Sequence, residues 1–120
     1  MSPPASAWLR AFLLTALFEV PIVLALTRAS PVPARRRLAL ALFAQLVTHP
    51  LVWYVFPILP GLSRSQTLAL SELWAWLGEA LFYAVALAPL RPARALGVAG
   101  LANGVSFGLG LLLPASCLFD

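Results

Sequence analysis

Residues 7–27 read AWLRAFLLTALFEVPIVLALT, a run whose charged side chains are Arg10 near one end and Glu19 in the middle. At about 1.5 Å per residue, a helix of this length crosses a hydrocarbon layer about 30 Å thick. A cleaved signal peptide is the rival reading of an apolar run near an N-terminus. Glu19 and Pro21 within its core, and Arg28 where small residues should precede a cleavage site, argue against that.

Three more runs of this kind follow, at about 38–59, 66–89 and 95–113. Short segments rich in breakers separate the four: Ser30-Pro31-Val32-Pro33, Pro60-Gly61-Leu62-Ser63 and Pro89-Leu90-Arg91-Pro92. With 62% hydrophobic and 10% charged residues, the composition excludes an ordinary soluble domain. The predicted fold is all-α, a four-transmembrane-helix bundle, with residues 1–120 forming a single integral membrane domain.

The formal charge of +4 comes from arginines alone, since the chain has no lysine. They gather in loops instead of forming a soluble basic patch, so the expected partner is the lipid bilayer and not nucleic acid. Loop one carries Arg28, Arg35, Arg36 and Arg37, and loop three carries Arg91 and Arg94, against Arg10 and Arg64 on the other side. That bias predicts a multi-pass protein with both termini outside. Trp8, Trp53, Tyr54 and Trp74 all fall toward the predicted outer side, as interfacial anchors do. Cys117 is the single cysteine and reads as an unpaired thiol. The wealth of Ala, Leu and Arg suggests a bacterial source, hence an inner (cytoplasmic) membrane location.

A pattern recurs in the second and fourth spans. Ala44-Gln45-Leu46-Val47-Thr48-His49-Pro50 aligns with Ala102-Asn103-Gly104-Val105-Ser106-Phe107-Gly108. Each gives alanine, a carboxamide, valine, and a hydroxyl three residues after the carboxamide. Glu19 precedes Gln45 by 26 residues and Glu79 precedes Asn103 by 24. The expectation is two similar hairpins in parallel repeat, each a glutamate helix followed by a carboxamide/hydroxyl helix.

Counted from the arginine-rich ends, Glu19, Gln45, His49, Glu79 and Asn103 all fall roughly 10–17 Å deep. Ionisable groups at such depth are costly and usually face the bundle interior. Helical spacing predicts faces Thr15/Glu19, Gln45/Thr48/His49, Glu72/Trp76/Glu79/Tyr83 and Asn103/Ser106. The candidate ion- or solute-binding residues are therefore Glu19, Gln45, Thr48, His49, Glu72, Glu79, Asn103 and Ser106. Glu19, His49 and Glu79 are also candidate ligands for a divalent metal that prefers oxygen and nitrogen. Gly97, Gly100, Gly104 and Gly108 form a small-residue stripe for helix packing, inside the protomer or between protomers.

Two functions fit these residues. One is an integral membrane protein that handles a cation, proton or small solute through the Glu/His/Asn layer, as a homo-oligomer or with other membrane subunits. The alternative is a non-catalytic assembly or accessory subunit, whose carboxyls and carboxamides only clamp helices together. An enzyme is disfavoured, because no nucleophile–base pair or metal-binding motif appears. The stretch Thr48-His49-Pro50-Leu51-Val52-Trp53, with Glu72, Glu79 and Ala102-Asn103-Gly104-Val105-Ser106-Phe107, resembles a family of small four-span bacterial integral membrane proteins. That resemblance implies the fold and transfers no activity.

Overall fold

A computed structural model describes residues 4–114; Cys117 lies outside them. Four helices follow one another: α1 (Ala5–Leu26), α2 (Ala34–Pro50), α3 (Arg64–Ala86) and α4 (Pro92–Leu112). Beyond Pro50, α2 continues as a π-helical turn, Leu51–Val55, and a 3₁₀ turn, Phe56–Ile58. The proline supplies no N–H to the preceding turn, and the wider turn closes on the Phe56 N–H to the Leu51 carbonyl. Helices α1, α3 and α4 and the continuous segment Ala34–Ile58 are each long and apolar enough to cross a membrane.

The helices begin two to four residues before the predicted spans, and α3 ends three residues early. Proline explains the early starts of α2 and α4. Pro33 caps α2 and Pro92 opens α4, where a fixed φ and a missing N–H cost nothing. At the start of α3, Ser63 and Gln66 form a reciprocal capping box: the Ser63 hydroxyl accepts from the Gln66 N–H, and the Gln66 side chain accepts from the Ser63 N–H. Gly61, with φ of 81°, makes the turn before it.

Packing runs round a ring: α1 on α2, α2 on α3, α3 on α4, and α4 back on α1. Thus α1 and α3 stand on one diagonal, and α2 and α4 on the other. The exterior is leucine-rich, with Leu13, Leu17, Leu81, Val85 and Leu111 exposed, while alanines and polar groups lie inside. An apolar exterior this extensive suits lipid, not water. The chain is a multi-pass membrane protein built as an all-α four-helix bundle.

Close helix contact comes mainly from alanine. Ala7 and Ala11, Ala41 and Ala44, and Ala95, Ala99 and Ala102 are all buried at the interfaces. The glycine stripe is turned away from the centre, because the same helix turns Asn103 toward it. A Cβ on Gly97, Gly104 or Gly108 would meet nothing within 4 Å. Gly100 is different, since a Cβ there would lie 3.0 Å from Nε1 of Trp76. Trp76 accordingly sits on the outside of the α3–α4 seam, and its indole donates to the Leu96 carbonyl at 2.9 Å. It does not share the inward face of Glu79 and Tyr83.

The end carrying loops one and three is closed by an arginine whose role the sequence reading did not find. Arg37 is buried and donates to the Leu24 carbonyl (2.8 Å), the Thr27 hydroxyl (3.0 Å) and the Val32 carbonyl (3.1 Å). Arg94 donates to the Leu26 carbonyl at 3.0 Å. These cations satisfy carbonyls that the end of α1 leaves unpaired, and they complement its dipole. Below them Val23, Ala41, Tyr83, Leu87, Ala95 and Ala99 pack as an apolar plug.

Candidate functional site

Glu19 on α1 and Glu79 on α3 meet at the centre of the ring, 1% and 2% exposed, within hydrogen-bonding reach of each other. Each carboxyl takes donors from both helices of the other diagonal. Gln45 Nε2 donates to Glu19 Oε2 at 3.2 Å, and the Ser106 hydroxyl donates to Glu19 Oε1. Asn103 Nδ2 donates to Glu79 Oε2 at 2.9 Å, and the Thr48 hydroxyl donates to Glu79 Oε1 at 3.0 Å. Each of these two glutamates is therefore held by the carboxamide of its own hairpin and the hydroxyl of the other.

The two halves also match in burial. Positions 17–30 and 77–90 pass through the same sequence of exposed, half-buried and buried residues. Gln45 and Asn103 are buried at corresponding turns of α2 and α4, as are Ala41 and Ala99. The second N–H of the Asn103 carboxamide goes to the Ala99 carbonyl at 2.9 Å, fixing its rotamer.

From this centre a cavity of about 230 Å³ extends toward the end where α1 begins, α4 ends and the second loop lies. Glu19, Glu72, Glu79, His49, Asn103 and Ser106 line its polar side. No arginine is among the lining residues. Glu72 is half-buried, and it also borders a groove on the α3–α4 seam beside Trp76, Gly100 and Gly104.

His49 lines the cavity from within an aromatic box. Its ring is stacked with Trp53 at 6.2 Å, meets Phe12 edge-on at 5.6 Å and is tilted to Trp8 at 6.2 Å. It is 9% exposed, and its Nδ1 has no hydrogen-bond partner. Trp8 and Trp53 thus pack on the histidine and on the wall it forms, besides standing at the end predicted for interfacial anchors. Trp74 donates to the Thr48 carbonyl at 3.3 Å, in the turn loosened by Pro50. Four further buried side-chain atoms lack partners among the described residues: Trp8 Nε1, Arg10 Nε, Gln45 Oε1 and the Tyr83 hydroxyl.

The structure gathers seven of the eight candidate residues round one cavity, and the eighth, Gln45, bonds Glu19 just behind it. Among the described residues, no three His, Cys, Asp or Glu side chains stand in position to hold a metal ion together. Chemically the centre is a pair of adjacent buried carboxyls at the foot of a half-open cavity. It offers carboxyl oxygens on one side and an apolar seal on the other. No protein-family model, curated protein or solved structure matches this chain, so its function has to be argued from this geometry alone.

Proposed function

We propose that this chain binds a cation or proton at the Glu19–Glu79 pair and exchanges it with the side on which the cavity opens. The observation that carries this reading is the cavity itself: three carboxyls line it and no arginine does. Carboxyls that served only as helix clamps would not need a half-open space of about 230 Å³ beside them. Two carboxyls within hydrogen-bonding reach suit the sharing of one proton between them. Displacing that proton leaves charge for an incoming cation to neutralise.

Orientation follows from the arginine bias. Loops one and three face the cytoplasm of a bacterial inner membrane, and the termini and cavity mouth face outward. The crossed bonding of the two glutamates and the matched burial of the two halves support two similar hairpins in parallel repeat. A single four-helix chain sealed at one end needs a partner or a second copy for alternating access. The outward glycines Gly97 and Gly104 give such a copy a close approach.

The test is cation and proton flux in proteoliposomes with Glu19→Gln, Glu79→Gln and the double variant. Loss of flux, with folding and oligomer size retained, supports the reading. Undiminished flux in the double variant overturns it.

The second reading, an assembly or accessory subunit, is favoured by one observation: each glutamate is already doubly hydrogen-bonded. It expects the glutamate variants to be mild and Gly104→Leu to dissolve a complex seen on a native gel.

A further inference from the structure

The donors and acceptors round the cavity are unevenly spent. The carboxamides of Gln45 and Asn103 and the hydroxyls of Thr48 and Ser106 already donate hydrogen bonds to Glu19 and Glu79. Among the lining residues, one buried side-chain atom is left without a partner, His49 Nδ1 in the wall, which is 9% exposed. Glu72 adds a third carboxyl to the wall, and no described side chain donates a hydrogen bond to it. With three carboxyls and no arginine in the lining, the occupant of such a space should bring N–H groups and positive charge to carboxyl oxygens that burial leaves short of donors.

The rest of the lining decides what kind of cation. Above the acid pair the walls are Phe18, Trp53, Phe107, Leu14 and Val52. At roughly 30 Å³ per water, a cavity of about 230 Å³ has room for several waters or one small organic body. A bare ion at the carboxyls would leave the aromatic walls facing trapped water. Its ligand set would also be poor, because among the described residues no three His, Cys, Asp or Glu side chains stand in position to hold a metal ion together. An ammonium group carrying an apolar substituent satisfies both parts: its N–H groups reach the carboxyls, and its body lies among rings that attract cations.

Resting on the cation reading above, we infer that the cavity takes an organic ammonium ion with an apolar or aromatic substituent, its nitrogen toward Glu19 and Glu79. Binding forms and breaks no covalent bond, and the proton held between the two carboxyls leaves through the cavity mouth.

The experiment is titration of the full chain in lipid nanodiscs with benzylammonium, followed by tryptophan emission and calorimetry. Benzyl alcohol, methylammonium, sodium and magnesium serve as comparison probes. Saturable binding of benzylammonium, with release of a proton and at least tenfold preference over benzyl alcohol, is the expected result. Phe107→Ala should weaken benzylammonium roughly 3- to 30-fold and leave methylammonium little changed. Glu72→Gln, which removes no hydrogen bond in the structure, should weaken both ammonium ions.

If benzyl alcohol binds as well as benzylammonium, recognition is of apolar bulk and the inference fails. If benzylammonium does not bind while glutamate-dependent flux of protons or metal ions persists, this inference falls and the broader cation reading stands. If neither ammonium binding nor glutamate-dependent flux is found, both fall.

Discussion

Thr48 and Ser106 show how much a single hydroxyl settles. Each could have bonded only within its own helix, as Thr48 nearly does with the Ala44 and Gln45 carbonyls at 3.2 and 3.3 Å. Its shorter contact is to Glu79, across the bundle. Interhelical hydrogen bonds of this kind contribute about 0.6 kcal/mol each on average in membranes. Thr48→Val and Ser106→Ala should each lower stability by about that amount, and by up to about 2 kcal/mol if the freed carboxyl oxygen finds no substitute donor. Reversible unfolding in mixed micelles measures both, and near-equal losses are expected because the two hydroxyls occupy equivalent places. That Glu19 and Glu79 turn inward was legible in the sequence, since a carboxyl facing lipid is too costly. Which hydroxyl serves which glutamate was not, because depth along a helix does not say which neighbour stands opposite.

Among the elements, α4 separates what periodicity gives from what it leaves open. Its length and its polar face with Asn103 and Ser106 could be read directly. Its packing face could not, because alanine and glycine are both small, and the sequence does not say which of two adjacent stripes meets α1 and α3. The structure uses Ala95, Ala99 and Ala102, and spends just Gly100 on a close approach, to Trp76. Gly100→Ala should therefore push the indole off the Leu96 carbonyl, shift tryptophan emission and cost about 1 kcal/mol net of the helix propensity gained. Gly104→Ala, with nothing within 4 Å of the new methyl, should be neutral or slightly stabilising in the monomer. Thermal melts of the two variants side by side check this. Arg37 was equally hidden. As one of several loop arginines it looked like topology bias, and just its burial against the end of α1 marks it as a cap.

For the molecule as a whole, the division into an open half and a plugged half is the property with functional weight. Four spans and short loops made the bundle plain from the chain, yet no pattern of letters reveals where internal space lies. The asymmetry is testable with single cysteines in a Cys117→Ser background. Thr15→Cys and Gly110→Cys, both in the cavity lining, should react with a water-soluble thiol reagent. Ala41→Cys and Ala99→Cys, both buried in the plug, should stay unmodified from either side. Labelling of the first pair by an impermeant reagent added to intact cells would also fix the mouth as outward-facing; labelling confined to inverted vesicles would reverse the orientation.

The crossed bonding of the two glutamates has one more consequence, for chain continuity. Since Glu19 leans on Ser106 and Glu79 leans on Thr48, neither hairpin completes its acid's surroundings alone, and each finds the missing hydroxyl on the other. The covalent link at Pro60–Ser63 adds nothing to that reciprocity. Two fragments expressed separately, divided at Gly61, should recognise one another in the bilayer and copurify. Glu79→Leu in one fragment should weaken that complementation more than any change to the severed turn.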